Sequence, residues 1–245
     1  MLSAGKAEMS SKPKLKIIYE DRSILVCIKP AGIPVQTPNP GAADMVSLLK
    51  KHRAENGEDL YIGMVHRLDQ PVEGVIAFAK KKEAAAALSR QVAERRMEKY
   101  YLAAAVGKFG QEEGTLEDWL ARDGRENLSH VASPDEKDAK RARLSYRVRE
   151  YDAGKNVSLV EVKLETGRHH QIRVQLAAAG HPLQGDRKYN PQPGGGNVAL
   201  CACRLSLDHP STGRRMTFSA APENPYFKDF AAVKNLATAS EIVYD

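Results

Sequence analysis

The sequence has few of the features that mark membrane, secreted or metal-binding proteins. No apolar run approaches the roughly 20 residues that a membrane-spanning helix needs. Its cysteines, Cys27, Cys201 and Cys203, are too few for a disulfide framework, and the last two are too close for a C-x-x-C metal knuckle. Residues 1–14 lack the apolar stretch of a signal peptide and are predicted to be a flexible lead-in. These absences predict a cytoplasmic protein whose cysteines are buried free thiols.

The histidines do not form a convincing metal site either. A zinc site built from His169, His170, His181 and Asp186 is possible by residue type. Adjacent histidines point apart in helices and in strands, however, so they rarely bind one ion together. The sequence therefore predicts no metal.

What the sequence does have is an excess of positive charge. Lys and Arg number 37 against 31 Asp and Glu, which gives a formal net charge of +6 and a pI near 9.1. This balance favours an anionic partner, with a nucleic acid as the first candidate. Hydrophobic residues make up 42% of the chain and charged residues 28%, which is typical of soluble globular proteins. Because no repeat or long linker interrupts residues 15–245, they are predicted to form a single domain.

Hydrophobic periodicity predicts a mixture of strands and helices. Within 157–165, the apolar residues Val160, Val162 and Leu164 alternate with Glu161, Lys163 and Glu165, as in a strand with one buried face. Strands are predicted at 16–19, 24–28, 75–79, 99–107, 141–151, 157–165, 199–207 and 215–220, and helices at 44–55, at 82–96 and from about His169. The polar stretch 108–142 is predicted to be loops. Because strands and helices do not alternate regularly, the predicted fold class is α+β, with a largely antiparallel mixed β-sheet core and flanking helices and loops.

A first candidate site is HRLD at 66–69, just before an apolar run. In an extended chain Arg67 and Asp69 share one face, while His66 and Leu68 share the other. One interpretation is a surface loop whose ion pair contributes little to stability. The other is a carboxylate that neighbouring guanidinium groups keep ionised, which could act as a nucleophile or a base. These four residues alone are consistent with both interpretations.

A second candidate site is GRHHQIR at 167–173, at a predicted strand-to-helix junction. Two arginines flanking two histidines suit a polyanion or a carboxylate partner. The stretch that follows, from Gly180-His181-Pro182 to Asp186 and Tyr189, is equally consistent with a structural turn.

Aromatic and basic residues could also contact RNA. Tyr100 and Tyr101 lie on opposite faces of a predicted strand, where each could fill the core or stack on a base. A basic run near the second predicted helix is typical of a solvated helix face and could also follow a phosphate backbone. Its members are Lys80, Lys81, Lys82, Arg90, Arg95, Arg96 and Lys99.

Taken in order, these segments resemble the RluA-type pseudouridine synthase family. The family's H-R-L-D motif, glycine and strand ending in A-K match 66–69, Gly74 and 79–80. Its K-x-Y-x-A block matches 99–103, and its G-R-T-H-Q-I-R…G-H-P…G-D-x-x-Y block matches 167–189. An early K-P-A-G loop at 29–32 and a late R-L…H-P-x-T-G segment at 204–213 also fit. The resemblance covers roughly residues 15 to 230.

The resemblance implies the pseudouridine-synthase catalytic fold, with 15–245 as a single catalytic domain that isomerises uridine to pseudouridine in ribosomal or transfer RNA. It also implies no cofactor and no metal. By the same resemblance Asp69 is the catalytic carboxylate, Tyr101 packs on the target uracil, and Arg173 pairs with Asp69. Residues expected to support the site or contact the RNA are His66, Arg67, Arg168, His170 and Gln171.

The sequence departs from the family pattern at Val72-Glu73, where the family has Thr-Ser. This difference leaves open an RNA-binding protein of the same fold that has lost catalysis. An aspartate-dependent glycosidase is a third possibility, but such hydrolases use paired carboxylates and the motif contains only Asp69. The short segment before the matched motifs is expected to hold no S4-like RNA-binding module, so substrate selection is expected to rest on the loops 108–142 and 190–197. A monomer is the expected state.

Overall fold

The computed structural model of the protein describes residues 15–39, 41–234 and 242–244. The predicted flexible lead-in at 1–14 lies outside the described residues. The strands are β1 (Lys16–Glu20), β2 (Ile24–Lys29), β3 (Gly63–Met64), β4 (Glu73–Ala79), β5 (Glu98–Val106), β6 (Glu113–Asp123), β7 (Leu128–Ala132), β8 (Lys140–Asp152), β9 (Val157–Leu164), β10 (Leu200–Asp208), β11 (Arg215–Ser219) and β12 (Ile242–Tyr244). The helices are α1 (Met45–Glu55), α2 (Lys82–Ala93), α3 (Gln171–Ala178) and α4 (Ala231–Lys234), with a 3₁₀ turn at Pro225–Phe227.

These strands form one 12-stranded sheet in the order β1-β2-β4-β10-β5-β9-β8-β6-β7, with β3 beside β4, and β11 between β10 and β12. The pairings are antiparallel except for one parallel contact between β4 and β10. The prediction of an α+β fold with a largely antiparallel mixed sheet is therefore confirmed. None of the described helices has the length and apolar character needed to cross a membrane.

The sheet carries a hydrophobic core on each face. Side chains alternate along β2, so Leu25 joins one core and its neighbour Ile24 joins the other. Leu49 of α1 and Leu176 of α3 pack into the first core, whereas Leu88 of α2 packs into the second. The sheet is thus held between two helical layers, and the candidate site lies on the side of α1 and α3.

The prediction of loops at 108–142 is wrong, because β6 and β7 form a long hairpin there and β8 begins at its end. The polar side chains that suggested loops make cross-strand ion pairs on an exposed face. Glu117 of β6 pairs with Arg141 at 2.6 Å and with Arg143 at 2.9 Å, both from β8. A strand exposed in this way has a composition close to that of a loop.

Candidate active site

The loop that carries Asp69 is tied to the K-P-A-G loop by one buried lysine. The ammonium of Lys29 donates to the carbonyl oxygens of Pro30 at 2.9 Å, Ile33 at 2.7 Å and Gln70 at 2.9 Å. Burial lowers the pKa of Lys29 to about 7. Because Gln70 follows Asp69 directly, these hydrogen bonds hold the backbone that positions the Asp69 carboxylate.

Asp69 meets Arg173 of α3, as the resemblance implies. Nη1 of Arg173 donates to Oδ2 of Asp69 at 3.2 Å. The other edge of the guanidinium donates twice to Asp186, from Nε at 2.8 Å and from Nη2 at 2.7 Å. Burial disfavours the charge on Arg173, but Asp186 and Asp69 raise its pKa above the ordinary value. Arg173 is therefore a fixed cation between two carboxylates.

Asp69 is the more accessible of these two carboxylates. Its side chain is 26% exposed, whereas that of Asp186 is 0% exposed. Oδ2 of Asp69 faces Arg173, and Oδ1 accepts no hydrogen bond from any residue in the described part of the chain. One carboxylate oxygen is thus held in place while the other stays available to a substrate.

His170 contacts the same carboxylate from the start of α3. Its Nε2 lies 3.7 Å from Oδ2 of Asp69, and its Nδ1 lies 2.7 Å from the hydroxyl of Tyr189. Burial and the nearby charge of Arg173 lower the pKa of His170 to about 2, so the ring is neutral at physiological pH. The Tyr189 hydroxyl accepts the N–H of Ser129 at 2.8 Å and has its own proton to donate to Nδ1. That arrangement leaves the imidazole proton on Nε2, facing Asp69.

The two histidines are arranged differently from the prediction. His170 has a left-handed backbone with φ of 53°, so α3 begins at Gln171 and not near His169. The rings of His169 and His170 stack with centroids 3.7 Å apart, whereas adjacent histidines were expected to point apart. Burial lowers the pKa of His169 to about 4, and its Nδ1 lies 2.9 Å from Oγ of Ser129 on β7.

Tyr101 faces the site from β5 and is 6% exposed. Burial, with the charge of Asp69, raises the pKa of its phenol well above the ordinary value, so the hydroxyl keeps its proton. Tyr100 points to the opposite face of the strand, where the guanidinium carbon of Arg204 lies 3.9 Å from the ring centroid. Of the two tyrosines, only Tyr101 lines the cleft of about 1690 Å³ that contains Asp69.

Gln171, predicted to contact RNA, uses its amide inside the protein. Its Oε1 accepts the hydroxyl of Thr166 at 2.8 Å and the N–H of Arg168 at 3.0 Å, and its Nε2 donates to the carbonyl of Arg143 at 3.1 Å. Gln171 therefore fixes the junction before α3 and also lines the cleft, so its contact with RNA stays a prediction. The exposed Arg168 is itself anchored, because its Nε donates to the Arg141 carbonyl at 2.9 Å.

His66 and Arg67 also differ from each other in role. Nε2 of His66 accepts the N–H of Ala77 at 3.1 Å, and burial lowers the pKa of the ring to about 3. His66 is therefore a neutral support between its loop and β4. Arg67 is exposed at the cleft and makes no hydrogen bond or ion pair within the described ranges.

The Val72-Glu73 departure lies close to Asp69 in the chain fold, because the N–H of Val72 donates to the Asp69 carbonyl at 3.0 Å and Val72 lines the cleft, whereas Glu73 does not. The buried carboxylate of Glu73 accepts the backbone N–H groups of Glu223 at 3.0 Å and Asn224 at 2.9 Å. Burial raises its pKa, and its side chain lies outside the cleft. Val72 packs into the hydrophobic core on the α3 side.

Several site residues had no role assigned from the sequence. Lys29, Asp186 and Tyr189 each fall in a matched motif, but their functions follow only from the packing described above. Ser129 gave no signal, since it lies in a stretch predicted to be loops. Among the described residues, no group of His, Cys, Asp or Glu side chains could hold a metal ion.

Comparisons with known proteins agree on one family. Residues 23–178 match the family described as RNA pseudouridylate synthase. An RNA pseudouridine synthase of Bacillus subtilis is 38% identical over 81% of this chain and 66% of its own length, so the chain spans about two thirds of that relative. The ribosomal large subunit pseudouridine synthase D of Nitrosomonas europaea is 34% identical over 92% of this chain and 67% of that protein.

Two further similarities extend over nearly whole proteins. The dual-specificity RNA pseudouridine synthase RluA of Escherichia coli is 34% identical over 85% of this chain and 94% of that protein. Among solved structures, human RNA pseudouridylate synthase domain containing 1 superposes with a TM-score of 0.71 at 25% identity, over 93% of this chain and 90% of that one.

Proposed function

The chain belongs to the RNA pseudouridylate synthase family, and from that membership we propose that it isomerises uridine in structured RNA with Asp69 as the catalytic carboxylate. The predictions of this family, of its fold and of an isomerase class are confirmed by the comparisons. In the reaction the N1–C1′ bond of uridine breaks and a C5–C1′ bond forms. The C5 proton leaves to water and N1 gains a proton, so neither oxidant nor cofactor is consumed.

The observation that carries the proposal is the Asp69 carboxylate in a cleft that Tyr101 also lines. Its Oδ2 accepts a hydrogen bond from Arg173, and its Oδ1 accepts none from the described residues. The guanidinium holds Oδ2 of Asp69 in place, and the unbonded Oδ1 can approach a substrate. Such a carboxylate could attack C1′, attack C6 of the ring or abstract a sugar proton. Each of these first steps uses the same unbonded Oδ1.

Tyr101 suits a role beside the target base. Its ring can pack on the uracil, and its protonated hydroxyl can take part in moving the proton at C5. A uridine must leave its stack to reach this depth, at a cost of a few kcal/mol that contacts with the RNA backbone can offset. Exposed cations at the cleft, such as Arg67 and Arg187, can make such contacts.

The proposal extends to the RNA substrate, the cellular location and the oligomeric state. Ribosomal RNA is one candidate because the Nitrosomonas relative is a ribosomal large subunit enzyme, and transfer RNA remains the other. A cytoplasmic location and a monomeric state complete the proposal. The alternative of a binding protein without catalysis rests on Val72-Glu73, of which Glu73 is held outside the cleft by the N–H groups of Glu223 and Asn224 while Val72 lines the cleft as an apolar side chain.

The test is release of tritium from C5-labelled uridine in RNA isolated from cells that lack the gene. We expect the wild-type protein to release label with the strand intact, and Asp69→Asn to lose about 10³-fold or more of that rate. Asp135→Asn, which removes an exposed carboxylate from a surface turn, should match the wild type. Binding without release would indicate a binding protein, and free base or abasic sites would indicate a glycosidase. Full turnover by Asp69→Asn would remove Asp69 from the catalytic role.

A further inference from the structure

Lys99 is a cation in the cleft that has no hydrogen-bond or ion-pair partner among the described residues. It precedes Tyr101 by two residues on β5, so both side chains leave the same face of the strand. Lys99 is half-buried and makes no hydrogen bond or ion pair with any residue that the structure describes. Lys163, another lysine of the cleft, differs because it pairs with Glu98 at 2.6 Å.

Burial makes this isolation costly. Desolvation alone lowers the pKa of Lys99, with no carboxylate near enough to oppose it. An ammonium removed from bulk water without a partner gains most when an anion arrives. Asp69 does not fill this role, since its bound oxygen faces Arg173.

Gly167 lies directly against the Lys99 ammonium. A Cβ placed on Gly167 would lie 3.7 Å from Nζ of Lys99, so the missing side chain leaves room beside the charge. The flanking N–H groups are used, since Thr166 donates to the Arg143 carbonyl and Arg168 donates to Gln171. The N–H of Gly167 donates to no described residue and remains available to an anion.

We propose that Lys99 and the Gly167 backbone bind the RNA phosphate adjacent to the target uridine, an assignment that rests on the proposed function. Two residues along a strand span about 6.7 Å. That length is comparable to the separation of a base from the phosphate of its own nucleotide. A base packed on Tyr101 would therefore place a phosphate within reach of Lys99. The same ammonium could instead donate to a uracil carbonyl, and the experiment distinguishes the two.

The experiment measures the binding of uridine 5′-monophosphate, uridine 3′-monophosphate and uridine by NMR titration. The phosphate increment is the ratio of the affinity for the better monophosphate to the affinity for uridine. We expect Lys99→Met to lower this increment by about tenfold, the size of one charge-assisted hydrogen bond. Lys99→Arg should recover most of it. Lys108→Met, two residues beyond the opposite end of β5 and outside the cleft, should leave it unchanged.

A second variant tests the backbone half of the site. The added methyl of Gly167→Ala makes an ordinary contact and meets no positive φ, so the protein should fold normally. It should lower the phosphate increment by filling the space beside Nζ, while uridine itself binds as before.

Three outcomes would overturn the assignment: no phosphate increment in the wild type, an unchanged increment in Lys99→Met, or equal losses for uridine and its phosphates. The last result would indicate a contact with the base. On labelled RNA, Lys99→Met should raise KM about tenfold with kcat little changed. Because nucleotide binding needs no turnover, a wild type that binds phosphate through Lys99 but releases no tritium would contradict the proposed function and leave the phosphate site standing.

Discussion

At the scale of single residues, the orientation of Asp69 depends on a carboxylate that no substrate can reach. Asp186 is 0% exposed and receives two hydrogen bonds from Arg173, which leaves only Nη1 of that guanidinium for Asp69. A bidentate pair fixes the plane of a guanidinium as well as its position. Asp186 thus sets the orientation of the Asp69 carboxylate indirectly, by fixing the Arg173 guanidinium that contacts it.

We expect Asp186→Asn to damage both stability and turnover. The substitution leaves the buried charge of Arg173 without its main partner, and broken buried pairs typically cost about 3–5 kcal/mol. Asp208→Asn is the matched control, because Asp208 pairs with Arg96 and Arg215 with its side chain 26% exposed. Such a surface change should cost under about 1 kcal/mol. Urea denaturation and tritium release measure the two effects, and equal losses in both variants would contradict this account of Asp186.

Sequence reasoning identified the charged centre of the site but not its supports. Asp69, Tyr101 and Arg173 stand at matched motif positions, and the structure brings them to one cleft. The ring positions of His169 and His170 could not be predicted, because they depend on a left-handed residue that only the surrounding packing selects. The three hydrogen bonds that Lys29 donates could not be predicted from the sequence either, because the accepting carbonyls lie on two separate loops.

At the scale of elements, the Asp69 loop leads directly into β4, whose pairing with β10 is the parallel contact among the described strands. Gly74, on β4, is in register with Ala202 of β10 and has φ of +124°. A Cβ on Gly74 would lie 2.3 Å from the Ala202 carbonyl oxygen, too close for any side chain. The glycine of the H-R-L-D block is therefore required by strand packing, which explains its place in the motif.

We predict that Gly74→Ala unfolds or severely destabilises the protein. The clash is with backbone, which cannot move without parting β4 from β10, and the positive φ adds about 1–3 kcal/mol of strain. Gly110→Ala is the control, because a Cβ there meets nothing within 4 Å. Its effect should stay within about 0.5 kcal/mol. Circular dichroism during thermal unfolding measures both, and a Gly74→Ala protein as stable as the control would contradict the packing argument.

Strands with a clear apolar period were predicted well, and the exposed hairpin of β6 and β7 was not. The alternation at 157–165 corresponds to β9, which is buried between β5 and β8. The hairpin instead gains its order from cross-strand ion pairs and from Leu120, which packs on Val174 of α3. These partners lie far along the chain, so a local window cannot detect them.

At the scale of the whole molecule, arginines that pair with carboxylates can be compared with arginines at the cleft that do not. On the outer face of β8, Arg147 pairs with Glu113 at 2.8 Å and Arg149 pairs with Glu161 at 2.9 Å. At the cleft, Arg67 and Arg187 have no carboxylate partner in the described chain. An anion can therefore approach Arg67 and Arg187 without displacing a protein carboxylate.

This division predicts which arginines set the salt dependence of RNA binding. Each phosphate that a protein cation neutralises contributes about −0.7 to −0.9 to the slope of log affinity against log salt. Arg187→Gln should therefore make the slope shallower by about that amount and weaken binding at low salt. Arg147→Gln removes the same charge but frees Glu113, far from the cleft, and should leave the slope unchanged.

Fluorescence anisotropy of labelled RNA across a salt series measures both slopes against that of the wild type. The two variants have the same net charge, so an effect of overall charge would change both slopes equally. Equal slopes would thus show that RNA senses the average charge of the molecule and not the cations of the cleft. A change confined to Arg187→Gln would place the phosphate backbone along the cleft, next to the carboxylate that we propose performs the reaction.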